Sequence, residues 1–271
     1  MRRLPVYLVL LCAAVPVLFP VYYAFAGSVM SPTELASYPP ALIPHGLHWQ
    51  NISEAFHVVP LGRYYLNSAI QTGAITLAQV VTSVLAGYAF AFLPMRGRGL
   101  VFGLFLATLM VPGESIIIPN YLAISGWGLA RGNLTYIGLV LPFLASAFGT
   151  FLMRQAFLQF PTELRDAAVV DGCGHQRFLW RVLVPLSKPS IAAVGVYVFL
   201  SAWNQYFWPL ILIRDADHQT LQIGLTQLND AEVAQPGLVL AGVALSLLPT
   251  LAIVLFGQRY LVRGLTAGAL R

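Results

Sequence analysis

Apolar runs long enough to cross a lipid bilayer constrain the fold of this chain more than any other feature of its sequence. A helix of about 20 apolar residues spans the hydrocarbon core, where every backbone polar group must find its partner inside the protein. Only 9% of the residues are charged, against about 25% in soluble domains. The sequence therefore predicts an all-α membrane protein with six transmembrane helices in a single domain over residues 1–271. The predicted spans are residues 5–27, 68–93, 100–119, 134–153, 190–213 and 237–258.

Positive charge is distributed unevenly between the connections, and this orients the predicted helices. With both termini cytoplasmic, twelve of the 15 Lys and Arg residues lie inside, and only Arg63, Arg131 and Arg214 lie outside. This asymmetry follows the positive-inside rule. It predicts extracytoplasmic loops at residues 28–67 and 214–236, and it accounts for the net charge of +5 without a nucleic-acid partner.

Residues 160–189, here termed the polar segment, separate the fourth and fifth apolar runs. They contain three acids, three arginines and the only lysine of the chain. The pattern predicts two short amphipathic helices with a turn at Gly172, because glycine adopts a left-handed conformation without strain. One face of the first helix collects residues at i, i+3 and i+4 spacing, namely Leu164, Ala167, Ala168 and Asp171.

A spaced motif runs through the polar segment: Asp166-Ala167-Ala168, then Gly172, then Val182-x-Val184-Pro185. It resembles the signature loop of permease subunits of binding-protein-dependent ABC importers, with Asp in place of the usual Glu and valines in place of Ile and Leu. The resemblance implies a cytoplasmic coupling helix that sits in a cleft of an ABC ATPase dimer. The residues it assigns to ATPase coupling are Glu163, Asp166, Ala167, Ala168, Asp171, Gly172, Phe178, Arg181 and Pro185.

Other strings extend the resemblance over nearly the whole chain, among them FLMRQ at 151–155 and WNQYFWPL at 203–210. They are similar to the carbohydrate-uptake branch of the family, and to its second, maltose-type permease subunit. This implies a second, homologous permease and an extracytoplasmic substrate-binding protein as partners. Within that branch the strings are most similar to permeases for glycerol 3-phosphate, which implies uptake of sn-glycerol 3-phosphate or a glycerophosphodiester. A neutral di- or oligosaccharide is the alternative cargo.

Energy must reach this chain from elsewhere, because it contains no phosphate-binding G-x-x-x-x-G-K-[ST] motif. We therefore expect a transport subunit rather than an enzyme, which itself binds no cofactor, with ATP and Mg bound by the partner ATPase. An ion-coupled secondary carrier is a remote alternative, although no series of intramembrane Asp, His or Lys residues supports it. No metal-ligand spacing is recognisable either.

Candidate pathway residues are the polar and aromatic groups at membrane depth. Glu114 follows Pro112-Gly113, which predicts a broken helix, and a carboxylate in a span usually faces water or a partner. The equal alternative is a structural acid, either hydrogen-bonded to a neighbouring helix or near the outer surface. Trp203, Asn204, Gln205 and Tyr206 form a cluster late in the fifth run. Such side chains can stack on sugars and bond hydroxyls, but Trp and Tyr also crowd membrane interfaces.

Overall fold

A computed structural model describes residues 4–230 and 235–266, and over these ranges the chain is helical and contains no strand. Part of the predicted loop 214–236 and the last five residues therefore lie outside the described residues. The α-helices are α1 (Leu4–Gly27), α2 (Pro32–Leu35), α3 (Gln50–Val58), α4 (Leu61–Phe92), α5 (Arg98–Ala107), α6 (Ile117–Gly126), α7 (Thr135–Val140), α8 (Ala147–Leu158), α9 (Thr162–Val170), α10 (His175–Phe178), α11 (Val184–Leu186), α12 (Lys188–Trp203), α13 (Phe207–Leu212), α14 (Leu221–Asp230) and α15 (Pro236–Thr266). Short 3₁₀ turns flank several of them, and a π-helical turn covers Leu179–Leu183.

Three of the described helices are long and apolar enough to cross a bilayer unaided: α1, α4 and α15. They coincide with the first, second and sixth predicted spans. However, α4 begins at Leu61 rather than at residue 68, so the connection between α1 and α4 ends at Pro60 and contains the short helices α2 and α3. The helix therefore starts seven residues before the predicted span, at polar residues that resemble a loop in the sequence.

Three further pairs of helices are apolar enough to cross a bilayer when taken together, each with a sharp bend between its members; the third pair begins inside the polar segment, before the predicted span 190–213. The bend is 93° between Arg98–Met110 and Gly113–Gly126, 51° between Gly132–Phe143 and Ala147–Leu158, and 79° between His175–Leu186 and Lys188–Trp203. Counting each pair as one span gives six crossings among the described residues. The break at Pro112 agrees with the broken helix that the sequence predicts there, whereas the sequence did not indicate the other two bends.

The first bend has a direct cause in the sequence. Val111 is extended (φ −83°, ψ 116°), because the ring of a proline disfavours the helical conformation in the residue before it. Pro112 also lacks the N–H that a continuing helix requires. At the second bend the Ser146 hydroxyl accepts a hydrogen bond from the Gly149 N–H at 3.0 Å and starts α8 as an N-cap.

The chain divides into two compact units, and the first comprises Met1–Asn67 with Gln219–Leu251. Within it, the buried Asn51 amide donates to the carbonyls of Ser28 (3.1 Å) and Met30 (2.8 Å) and so fixes the connection between α1 and α4. At the start of α2, the N–H groups of Ser31 and His45 donate to the Glu34 carboxylate. These bonds lower the pKa of Glu34 to about 2.

The second unit comprises Ser68–His218 with Ala252–Arg271. Its main core joins α4, α8, the polar segment and α12. Gly87 of α4 lies directly against α8, where an added Cβ would come within 2.8 Å of the Met153 Cβ and 2.9 Å of the Arg154 nitrogen. Small residues allow such close approach, and inside a bilayer the close packing itself holds helices together. This core positions the polar segment.

Candidate functional site

The first half of the polar segment ends in a defined turn. At the end of α9, Gly172 has φ +72°, its N–H donates to the Val169 carbonyl (3.0 Å), and the Cys173 N–H donates to the Ala168 carbonyl (2.8 Å). These two bonds and the left-handed residue form a Schellman motif. The predicted turn at Gly172 is therefore confirmed, and the motif fixes the direction in which the chain leaves α9.

The second half is less regular than an α-helix. The helix α10 passes into the π-helical turn Leu179–Leu183 and then into α11, and a 79° bend near Ser187 leads to α12. Pro189 lies in the first turn of α12, where its missing N–H leaves no broken bond. The predicted pair of short helices is thus confirmed, with a π-helical turn that the sequence does not indicate.

Two of the residues that the resemblance assigns to ATPase coupling are buried inside the chain. Ala168 and Phe178 are 8% and 4% exposed and belong to the core with α4 and α8. The Phe178 ring meets the Phe92 ring edge-on, with 5.8 Å between centroids. These residues anchor the polar segment on the core of this unit. The predicted face of α9 is therefore only partly exposed, because Ala168 is buried.

The remaining members of the set are exposed. They are Glu163, Asp166, Ala167, Asp171, Gly172, Arg181 and Pro185. Two apolar side chains beside them also point outward: Val169 is 61% and Val170 is 87% exposed. A segment with a buried inner face and an outer face of acids, valines and arginines has the composition of a docking surface.

At the break in the third span, Glu114 lies in the 3₁₀ turn Gly113–Ile116 and is exposed. No hydrogen bond or ion pair reaches its carboxylate from any residue that the structure describes. The backbone is extended at Val111 and does not continue the helix through Pro112. Non-helical backbone at membrane depth is tolerated where it contacts protein or lines water. This geometry is compatible with a Glu114 that faces the passage and with a Glu114 that is a structural acid.

A second break lies at residues 204–206, between α12 and α13. The Gln205 amide oxygen accepts a hydrogen bond from Gln71 of α4 at 2.8 Å, and the Asn204 amide donates to the Leu200 carbonyl at 2.8 Å. Trp203 is 3% exposed and stacks on Phe199. Asn204 is exposed, and Gln205 and Tyr206 are half-buried. The four predicted residues thus lie together but differ in what surrounds them.

Several contacts were missed by the sequence reasoning. The buried Gln71 holds Gln205, and the Trp208 indole N–H donates to the Leu139 carbonyl at 3.2 Å. The Tyr88 hydroxyl lies 2.8 Å from His175 Nδ1 of the polar segment. Gln71 and Tyr88 are polar groups within an apolar run, which is a signal that such a side chain has a partner.

Beyond α13 the guanidinium of Arg214 donates to the Tyr121 hydroxyl and lies over the Tyr121 ring, 5.9 Å from its centroid. Arg214 is exposed, and no carboxylate of the described residues forms an ion pair with it. The neighbouring Asp215 carboxylate instead accepts from the His218 backbone (3.1 Å) and lies 2.5 Å from its ring nitrogen. The charge of Arg214 is therefore available to a ligand.

Comparison with known proteins identifies relatives of the entire chain. The family model "Binding-protein-dependent transport system inner membrane component" matches residues 79–267. An sn-glycerol-3-phosphate transport system permease protein UgpE of Yersinia enterocolitica is 38% identical over 267 residues, which is 96% of this chain and 94% of the relative. UgpE of Rhizobium meliloti is 38% identical over 268 residues, with the same coverage of both chains.

A solved structure resembles nearly the whole chain as well. It is described as the crystal structure of a bacterial ABC transporter involved in the import of the acidic polysaccharide alginate. The TM-score is 0.82 at 24% sequence identity, and the match covers 94% of both chains. At this identity the likeness is one of fold.

Proposed function

The chain belongs to the family of binding-protein-dependent transport system inner membrane components, and from this we propose that it is one of two permease subunits of an ATP-driven importer of sn-glycerol 3-phosphate. Glycerophosphodiesters, which share the glycerol phosphate group, are included in the proposed cargo. The observation that carries the proposal is the 38% identity to UgpE over 96% of the chain. A second, homologous permease would complete the passage.

The partners follow from the polar segment and from the family. A dimer of ABC ATPase subunits would hold ATP and Mg and bind the exposed face of α9, where Asp166, Asp171 and Val170 point outward. An extracytoplasmic binding protein would deliver the cargo to the opposite side, where the segment after α13 lies in the predicted orientation. Closure of the ATPase dimer would displace the polar segment and alternate the access of the passage.

The cation at Arg214 supports an anionic cargo. A phosphate oxygen accepts strong, charge-assisted hydrogen bonds from a guanidinium. Arg214 is held against Tyr121 and is not neutralised by a described carboxylate. Neutral amide and phenol groups at the 204–206 break could instead accompany a neutral sugar, and this observation keeps the di- or oligosaccharide as the second candidate.

Reconstitution of the complete importer in proteoliposomes tests the proposal. The chain, its sister permease, the ATPase and the binding protein are expected to take up radiolabelled sn-glycerol 3-phosphate only with ATP inside the vesicles, and excess maltose should not compete. Uptake that an ion gradient drives without ATP, or uptake of maltose in place of the phosphate, would contradict it.

The variant Arg214→Gln refines this experiment. Loss of one charge near a phosphate should raise the KM for the cargo about fivefold, the factor that corresponds to about 1 kcal/mol of Coulomb energy in water at contact distance. Arg131→Gln is the matched control, because Arg131 is also an exposed arginine of a predicted outer connection. An equal effect of both substitutions would indicate general electrostatics rather than a contact at Arg214.

A further inference from the structure

One polar contact joins the polar segment to α4 through residues outside the motif of the family. The Tyr88 hydroxyl and His175 Nδ1 are 2.8 Å apart, and the two rings meet edge-on with 6.0 Å between their centroids. Tyr88 is 6% exposed. A buried phenol that loses its partner is left with an unsatisfied hydroxyl group, which is unfavourable. Loss of the contact between Tyr88 and His175 would therefore destabilise the folded chain.

The contact persists whichever partner donates. A neutral His175 can accept from the phenol at Nδ1, and a protonated one can donate from Nδ1 to the phenol oxygen. The bond therefore does not depend on one protonation state of the imidazole. The contact thus holds α10 of the polar segment against α4.

A second contact one turn further along α4 makes the attachment rigid. Tyr88 and Phe92 lie on the same face of α4 at i, i+4 spacing, and their ring centroids are 5.3 Å apart. Phe92 in turn contacts Phe178, which follows His175 by three residues in α10. Two points of contact fix the orientation of α10 relative to α4, whereas one point would act as a pivot.

The covalent connection from the polar segment to α12 is irregular. Towards α12 the chain passes through the π-helical turn Leu179–Leu183 and a bend of 79°. Such interruptions of the regular hydrogen-bond ladder are the places where a helix bends. In contrast, α4 is a single helix of 32 residues without an internal proline.

The other end of this connection lies at the 204–206 break. Gln71, 2% exposed, donates to the Gln205 amide at 2.8 Å. Gln71 and Tyr88 are seventeen residues apart in the same helix, a distance of about 25 Å at 1.5 Å per residue. Thus α4 contacts the polar segment near the C-terminal end of α4 and the proposed pathway residues about 25 Å further back along the same helix.

We propose that α4 is the rod that carries the movement of the polar segment to the 204–206 break, with Tyr88 and His175 as positioning residues at the driven end and Gln71 at the other. The inference rests on the proposed function, because it presupposes an ATPase that moves the polar segment. It adds a route through a non-adjacent helix to the two routes through α8 and α12. It also assigns roles to three residues outside the signature motif.

The test measures cargo molecules transported per ATP hydrolysed in proteoliposomes that contain the complete importer. Tyr88→Phe keeps the ring and its edge-on packing but removes the hydroxyl, and His175→Ala removes the partner. Each should lower transported cargo per ATP about two- to tenfold, the range that corresponds to one net hydrogen bond, while ATP hydrolysis stimulated by the loaded binding protein continues. Gln176→Ala, at the exposed neighbour of His175, is the matched control and should change nothing.

Double variants distinguish a relay from independent defects. Tyr88→Phe combined with His175→Ala should be no worse than the poorer single variant, and the same should hold for Tyr88→Phe combined with Gln71→Leu. The inference is overturned if Tyr88→Phe transports as much cargo per ATP as the unmodified chain. It is also overturned if the variant loses ATP hydrolysis and transport in parallel or no longer assembles, since that indicates a structural role alone.

The outcome for the unmodified chain separates this inference from the proposed function. If the complete importer transports no glycerol phosphate, the proposed function fails whatever Tyr88 does. If it transports normally and Tyr88→Phe is without effect, only the role of α4 is refuted.

Discussion

Among single residues, Gly172 has the backbone conformation that most narrowly limits substitution in the polar segment. Its φ of +72° belongs to the left-handed region, which costs an L-residue about 1–2 kcal/mol. Gly174, two residues later, has φ −69° and ψ 168°, a conformation open to any residue. A Cβ at either position would meet nothing within 4 Å. The two glycines therefore differ in backbone conformation and not in available space.

This difference leads to the prediction for Gly172→Val. The strain should open the Schellman turn, loosen α9 from α10 and reduce ATP hydrolysis stimulated by the loaded binding protein at least tenfold, while the protein still inserts in the membrane. Gly174→Val should retain more than half of the stimulated rate. The measurement is ATPase activity of the purified complex, and normal uptake in cells that carry Gly172→Val would refute the expectation.

How far sequence could identify the site differs from residue to residue. Gly172 was predictable because glycine is the residue that takes a positive φ cheaply. Trp203 was not, because a tryptophan in an apolar run can face lipid, a passage or the core, and its stacking on Phe199 follows from the folded structure. His175 lies next to the motif, but its partner Tyr88 is far away in the chain.

At the scale of secondary-structure elements, hydropathy located the apolar runs but not their bends. An average over about 20 residues has the same value for a straight helix and for a helix broken in the middle. Only the break at Pro112 was visible, since proline interrupts a helix by its own chemistry. The early start of α4 was missed because Asn67 resembles a loop residue, whereas its amide is paired with the Gln219 carbonyl at 2.8 Å.

The packing of α4 on α8 gives a prediction at this scale. Gly87→Ala should destabilise the folded chain by about 1–3 kcal/mol, because the added methyl group meets the backbone of α8 and overpacks the contact. Gly73→Ala, in the same helix but with nothing within 4 Å, should be neutral or stabilising by up to about 1 kcal/mol. Thermal unfolding in detergent measures both. A more stable Gly87→Ala variant would show that α4 and α8 do not lie in contact.

For the whole molecule, the orientation in the membrane remains a prediction of the charge distribution. It can be tested with the two cysteines, of which Cys12 lies on the exposed side of α1 and Cys173 is half-buried in the polar segment. In a Cys12→Ser background, a membrane-impermeant maleimide should label Cys173 in inside-out vesicles and not in intact cells. Glu54→Cys, at an exposed position of α3, should show the opposite pattern once Cys12 and Cys173 are both replaced by serine. Labelling of Cys173 from outside intact cells would show that the predicted topology is inverted.

The division into two units was beyond the reach of sequence reasoning. Each unit combines two stretches that are distant in the chain. The pairing of the two stretches within a unit depends on contacts that no local pattern encodes. The sequence did predict the class of molecule, because a bilayer admits few arrangements of apolar helices.

The first helix allows a conclusion about evolutionary drift. The side chains of α1 from Pro5 to Cys12 are all exposed, so none of them depends on a complementary shape elsewhere in its own chain. Exchanges among leucine, valine and isoleucine there keep the apolar surface and disturb no packing inside the chain. Lineages of this protein should therefore diverge fastest in that stretch and slowest along the face of α4 that contains Gly87.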